Sequence, residues 1–182
     1  VKENAKSVIK AIHNLGIETI MLTGDNEKSA SFIANKVGIT KVISRVLPQD
    51  KSNVIKKLQE NGDIIAMIGD GINDAPALTQ SDIGIAMATG SDIAIESSSI
   101  TLLGGDIEKV VQAIKLSKAT VNTVKQNLFW AFIYNIVGIP LAAGAFYPIW
   151  GIFLNPIFAG VAMASSSISV VLNSLRLNRI KI

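Results

Sequence analysis

The densest chemistry in this sequence lies in six residues, Gly69-Asp70-Gly71-Ile72-Asn73-Asp74. Two carboxylates and an amide sit among glycines, directly after the apolar run Ile64-Ile65-Ala66-Met67-Ile68 and directly before Ala75-Pro76-Ala77-Leu78. Pro76 suits the first turn of a helix, where the N–H it lacks would have no intrahelical partner. Strand, polar Gly-rich loop and helix start is the arrangement in which α/β proteins hold ligands, at the carboxyl ends of their strands. Acidic residues there suit a hard cation such as Mg²⁺, which takes one or two carboxylates along with water and substrate phosphate. Two more loops add to this set. Thr23-Gly24-Asp25 offers a hydroxyl and backbone N–H groups at a helix N-terminus, a natural phosphate seat. Lys51, shortly after Pro48, places an ammonium at the start of another helix, and Asn73 can bond phosphate oxygens. Hydroxyl, ammonium, amide and metal converging on one point describe a phosphoryl-transfer site, where positioning and charge neutralisation account for most of catalysis. What is missing is a nucleophile, since no further Asp occupies a strand-end loop upstream. The plain alternatives are an ordinary Asp-Gly turn and a solvated lysine.

The elements that must position these loops alternate along the chain. Ala5, Val8, Ile9, Ile12 and Leu15 fall at helical spacing with Lys2, Lys6 and Lys10 on the other side, and Gly16 ends that helix. Residues 17–22 read as a strand. Asp25 or Asn26 can cap a helix over 27–37, terminated by Gly38. Residues 41–44 form a short strand, Pro48 opens a helix over 49–60, and 63–68 is the strand that feeds the Asp70 loop. Further strands are expected at 83–87 and 99–103, with a helical turn at 92–96 between them. Asp106 caps a long helix running toward Lys125. Strands and helices alternating through short connections predict a parallel sheet with crossover helices. His13, the single histidine, should be solvated. Met21, Met67 and Met87 should be core, and Gly84, Gly90, Gly104 and Gly105 should serve turns.

Composition changes sharply at Asn127. The chain has 182 residues, 49% of them hydrophobic, and a net charge of +3 from 17 Lys and Arg against 14 Asp and Glu. Mean hydropathy is +0.42 and the pI about 9.2. All the acidic residues precede Asn127, and only Arg176, Arg179 and Lys181 are charged after it. No basic stripe interleaved with aromatics occurs, which argues against nucleic acid as a partner. The absence of cysteine excludes disulfides and thiolate metal sites within the chain. Residues 127–147 and 154–175 carry no charge, and each is long enough to cross a ~30 Å hydrocarbon core as a helix. Lys115, Lys118 and Lys125 precede the pair, Arg176, Arg179 and Lys181 follow it, and the turn 148–153 has no charge. By the positive-inside rule both ends lie in the cytoplasm. The alternative is a buried helical hairpin in a larger soluble protein. Val1-Lys2-Glu3-Asn4 has no initiator Met or signal pattern and starts as though within a helix, so a portion of something longer is expected.

Thr23-Gly24-Asp25, Pro48-Gln49-Asp50-Lys51 and the stretch from Gly69 to Leu78 resemble the later motifs of the haloacid dehalogenase superfamily. More narrowly, they are similar to the phosphorylation domain of P-type ATPases, a family that follows this domain with membrane helices. The resemblance implies an incomplete, Rossmannoid α/β phosphorylation domain over 1–105, a connecting helix over 106–126, and a two-helix transmembrane hairpin over 127–182. It implies ATP as substrate and phosphorylation of an aspartate in a DKTGT sequence that this chain does not contain. Thr23 then resembles the phosphate-binding threonine, with Gly24 and Asp25 completing its loop. Lys51 resembles the lysine that neutralises the aspartyl phosphate. Asp70 resembles the Mg²⁺ ligand, with Asn73 and Asp74 supporting phosphate and metal.

The apolar half carries its own pattern. Met163, Ser166 and Ser167 share one helix face at i, i+3 and i+4, and Tyr134-Asn135 lies in the preceding span. Thioether, hydroxyls, phenol and amide without a carboxylate suit a soft monovalent ion, Cu(I) or Ag(I), better than Ca²⁺ or Zn²⁺. The pattern is similar to the copper-selective branch of heavy-metal P-type ATPases, in which a CPC motif absent from this chain joins the site. Small residues and Met also pack helices in membranes, which is the plain reading. Pro140 and Pro156 should bend or start these helices. The expectation is an integral membrane protein of the cell membrane exporting Cu(I), its phosphorylation domain and C-terminus cytoplasmic. Its partners would be membrane lipid, a soluble metal donor and upstream domains of the same protein. The competing expectations are a soluble phosphatase of the same superfamily and a non-catalytic membrane-anchored module.

Overall fold

β-branched runs and amphipathic segments alternate through the first half of the chain and set its architecture. The computed structural model describes residues 1–87, 92–144, 147–151 and 156–180, leaving out the side chains of 149–150, 156–159 and 162–163. Expectations at Gly90, at Lys181, at the end of the turn 148–153 and for the Met163 side chain therefore lie outside the described residues. Two units divide the chain, Val1–Val111 and Gln112–Ile182.

In the first unit, α1 (Ala5–Asn14) buries Val8, Ile9 and Ile12. β1 (Ile20–Leu22) leads to α2 (Glu27–Val37), whose bounds match the expectation. The reason is local: the Asn26 side chain accepts from the Ser29 N–H, and Gly38 adopts the left-handed conformation at φ 88°. β2 (Lys41–Ile43) returns parallel to β1, with Ile20 opposite Lys41. Ile9, Ala34, Val37 and Ile39 form a core cluster against which Ala5, Met21 and Val42 pack. A 3₁₀ turn over Pro48–Asp50 runs into α3 (Lys51–Glu60), which leads to β3 (Ala66–Gly69). A second 3₁₀ turn, Ile72–Asp74, opens α4 (Ala75–Gln80). β4 (Ile83–Met87), α5 (Asp92–Glu96) and β5 (Ile100–Leu102) follow. β3, β4 and β5 form a parallel sheet in that order.

Four expectations change here, the first being β1, which covers only Ile20–Leu22 of the expected 17–22. One parallel sheet was expected; the described strands make two, β1-β2 and β3-β4-β5, with no pairing between β1 and β3. β3 starts at Ala66 rather than 63, because the Ile65 N–H goes to the Asp82 carboxylate (2.8 Å) instead of a strand carbonyl. Gly84 serves no turn but lies within β4, where a Cβ would come within 2.6 Å of the Leu78 carbonyl oxygen. Gly104 and Gly105 do turn the chain, at φ 84° and 64°. His13 is exposed, with its Nε2 2.7 Å from the Thr19 hydroxyl. Of the three methionines, Met87 is buried and Met21 and Met67 are half-buried.

The second unit is helical. α6 (Glu108–Ala142) begins beside Asp106, whose carboxylate accepts from the Glu108 N–H at 2.9 Å. It continues unbroken through Asn127, with Pro140 inside it. α7 (Tyr147–Trp150), α8 (Pro156–Leu175) and a 3₁₀ turn over Arg176–Arg179 complete the chain. Among the described residues no helix is long and apolar enough to cross a membrane. The expected first span is therefore not an independent helix. It also carries Asn127, Asn135 and Pro140. The middle of α6 meets the C-terminal end of α8. Asn127 Nδ2 donates to Ser174 Oγ (2.9 Å), and Asn173 Nδ2 donates to Asn127 Oδ1 (2.9 Å) and Gln126 Oε1 (3.3 Å).

Candidate functional site

The loop after β1 is tied down by its own backbone. The Thr23 N–H donates to the Ile43 carbonyl (3.0 Å), and its carbonyl accepts from Val46 N–H (3.1 Å). The Arg45 N–H donates to the Asp25 carbonyl (2.9 Å). Thr23 Oγ1 donates to Asp25 Oδ2 (3.0 Å) and accepts from the Asp25 N–H (3.2 Å). A Cβ on Gly24 would lie 3.3 Å from the Val46 carbonyl oxygen, a tight fit. Arg45 holds φ at 56° although it is not glycine. The hydroxyl of Thr23 is thus positioned at the mouth of a strand, half-buried, with exposed Gly24 and Asp25 beside it.

The segment that follows Val46 carries Lys51, and here two expected site residues meet. Lys51 Nζ donates to Asp74 Oδ1 at 2.7 Å, with side chains only 16% and 13% exposed. Asp74 Oδ2 lies 3.4 Å from the Gly71 N–H, and the Asp74 N–H donates to the Gly71 carbonyl at 3.0 Å. The 3₁₀ turn thereby folds Asp74 back under the end of β3. A Cβ on Gly69 would lie 2.7 Å from Asp74 Cβ, so only glycine permits this approach. Asp70 and Asn73 are exposed, and neither side chain makes a hydrogen bond to a described residue. The site therefore offers a free carboxylate at Asp70, a free amide at Asn73, and an ammonium parked on Asp74.

Two hard carboxylates fit a Mg²⁺ ion that keeps most of its ligands as water and phosphate. Among the described residues there is no group of three or more His, Cys, Asp or Glu that could hold a metal. Asp70 is the readier ligand, since Lys51 already occupies Asp74 Oδ1. Sequence reading missed two structural supports. Asp82 accepts from Ile65 N–H and from Gln59 Nε2 (3.1 Å), and these bonds hold its carboxyl below the ordinary value, the Ile65 bond first. Gly69 was read as part of the motif without its role as a contact surface for Asp74. An Asp opening a strand whose partner starts with an apolar run was the available signal for the first.

In the second unit, Asn135 Nδ2 donates to the Ala131 carbonyl (2.9 Å), four residues back in its own helix. Ser165 and Ser169 likewise donate to Val161 and Ser165 carbonyls (2.8 Å each). Tyr134 is 37% exposed, Ser166 is half-buried and Ser167 exposed.

Comparison with known proteins follows the same division. Residues 1–82 match the family model described as a haloacid dehalogenase-like hydrolase. Over nearly its whole length the chain is similar to heavy-metal P-type ATPases. It is 55% identical over 179 residues to "Probable copper-transporting ATPase PacS" of Synechocystis sp., covering 98% of this chain and 24% of that protein. It is 49% identical over 180 residues to a copper-exporting P-type ATPase of Legionella pneumophila, covering 99% of this chain and 24% of that one. Among solved structures, a zinc-transporting PIB-type ATPase in its E2.Pi state superimposes with a TM-score of 0.84 at 32% identity. That match covers 97% of this chain and 28% of the other. The chain thus spans about a quarter of the length of the curated relatives it matches.

Proposed function

We propose that this chain is the C-terminal part of an ATP-driven exporter of Cu(I) that works through an aspartyl phosphate. The observation that carries the reading is the Lys51–Asp74 pair, which draws the Pro48 turn and the Asp70 loop together. In this reading Thr23 Oγ1 donates to one phosphoryl oxygen and the Asn73 amide to another, while Gly24 and Asp25 hold the loop of Thr23 in place. Lys51 shifts its ammonium from Asp74 toward the phosphoryl group as negative charge arrives there. Asp70 and Asp74 would hold Mg²⁺, which when bound neutralises phosphate charge. The accepting aspartate lies outside these 182 residues.

The same reading places 127–147 and 154–175 in the membrane, with both ends cytoplasmic. Support comes from the charge-free stretches, the Lys and Arg that flank them, the side-chain hydrogen bonds that join α6 to α8, and the similarity over 97% of this chain to a zinc-transporting PIB-type ATPase. Tyr134, Asn135, Met163, Ser166 and Ser167 would be ligands or close neighbours of the transported ion. The relatives named for copper are 55% and 49% identical to this chain, and the zinc transporter is 32% identical. The absence of any carboxylate after Glu108 favours Cu(I) or Ag(I). The experiment is metal-dependent ATP hydrolysis by the complete pump in membranes. Cu(I) should stimulate it, Met163→Leu should reduce that stimulation, and stimulation by Zn²⁺ alone would refute the choice of ion.

A second reading, a phosphatase of the haloacid dehalogenase-like class, is favoured by the family model over 1–82 and by the absence of a membrane-length apolar helix among the described residues. It requires that the expressed chain stay in solution without detergent or lipid.

A further inference from the structure

At the level where α6 meets α8, a cavity of about 460 Å³ is lined by Lys125, Gln126, Phe129, Trp130, Asn173 and Arg176. Its polar wall is built. Arg176 donates from one guanidinium nitrogen to Asn173 Oδ1 (3.1 Å), and Asn173 is itself bonded to Asn127 and Gln126. That leaves most of the five guanidinium donors unused. Lys125 makes no hydrogen bond or ion pair with a described residue. From Lys109 onward the sequence contains no Asp or Glu, so no acidic side chain of this unit neutralises either cation. The apolar wall is Phe129 and Trp130, packed edge-to-face with centroids 5.6 Å apart. Both residues remain half or more exposed, at 58% and 50%. A smaller cavity of about 290 Å³ along α6 shares Lys125 and adds Lys118.

Two cations, the donor group of the Gln126 amide and a half-exposed aromatic pair, set where a charged helix becomes charge-free, call for an anion joined to an apolar chain. We infer that this cavity binds the phosphate of an acidic phospholipid such as phosphatidylglycerol, with Lys125 and Arg176 on the phosphate oxygens and Trp130 beside the acyl chain. The inference rests on the membrane placement proposed above. A free phosphate shares the headgroup's charge but makes no use of the aromatic wall, and tryptophan with Lys and Arg is the usual furnishing of a membrane interface.

The test uses the chain in lipid nanodiscs on a Trp150→Phe background, which leaves Trp130 as the only tryptophan. Quenching of Trp130 is compared between brominated phosphatidylglycerol and brominated phosphatidylcholine at equal mole fraction. Phosphatidylglycerol should quench preferentially. Lys125→Gln and Arg176→Gln should each reduce that preference about five-fold, equivalent to about 1 kcal/mol per cation at an anionic surface. Arg176→Lys should retain it. Equal quenching by the two lipids, or an unchanged preference in the double variant, would overturn the inference. Loss of the preference on adding millimolar inorganic phosphate would overturn the lipid assignment in favour of a soluble phosphate. Failure of the chain to float with vesicles of any composition would overturn the membrane reading itself, and this inference with it.

Discussion

Removing the charge of Lys51 should unfold the neighbourhood of the Asp70 loop before it does anything else. The ammonium lies 2.7 Å from Asp74 Oδ1, and neither side chain exposes more than 16% of its surface. That places the pair nearer the buried limit, where removing one partner costs about 3–5 kcal/mol, than the surface limit of about 0–1 kcal/mol. A cost of about 2–3 kcal/mol for Lys51→Met follows, because Asp74 is left with only its long contact to the Gly71 N–H. For a unit of about this size each kcal/mol lowers the melting temperature by about 4 °C or more, so a fall of about 10 °C is expected. Asp74→Asn alone should cost a similar amount. The double variant should recover most of the loss, because replacing both charges removes the desolvation burden along with the attraction. Circular dichroism melts of the four proteins give the coupling, and hydrogen exchange of the α3 and α4 amides shows whether the loss is local. A coupling energy below about 0.5 kcal/mol would mean that the two side chains do not act on each other, and the site geometry would have to be abandoned.

Other perturbations follow from single contacts. Gly84→Ala places a methyl 2.6 Å from the Leu78 carbonyl oxygen, and overpacking against backbone should destabilise the chain by about 1–3 kcal/mol in urea titration. Asn26→Ala removes the acceptor of the Ser29 N–H and should cost about 1 kcal/mol by the same measurement. Asp82 and Asp106 are held below the ordinary carboxyl value, chiefly by the N–H groups of Ile65 and Glu108. Their folded values lie below their unfolded ones, so their stabilisation is complete above the unfolded value and disappears as pH falls through the folded one. Urea midpoints should therefore decline below about pH 4, and Asp82→Asn should flatten that decline.

The sequence was most legible where a residue acts on its immediate neighbours. Asn26 and Gly38 mark the ends of α2 because capping and a positive φ are decided within one turn. Pro48 and Pro76 open helical turns at the expected places for the same reason. Legibility fell where a distant group intervened. Asp82 takes the Ile65 N–H across 17 residues and shortens β3, which no local pattern could reveal. The boundary at Asn127 is a boundary of charge, not of backbone, so α6 runs through it. In the candidate site, the residues of each loop could be read from type and spacing. That Lys51 rests on Asp74, and that Gly69 is the surface Asp74 leans on, needed the fold. The amide junction of Asn127, Asn173 and Ser174 joins residues 46 and 47 apart, and side chains that distant carry no periodic signal.

The phosphoryl-transfer reading stands or falls on Asp70, whose carboxylate is exposed at the end of β3. The direct measurement is acid-stable phosphoenzyme formed from radiolabelled ATP in membranes that contain the full-length protein, with and without Asp70→Asn. Loss of about 10²-fold or more in the rate of phosphoenzyme formation is expected, the scale on which one electrostatic stabiliser acts. Phosphoenzyme forming in the variant at the unmodified rate and level would contradict the assignment.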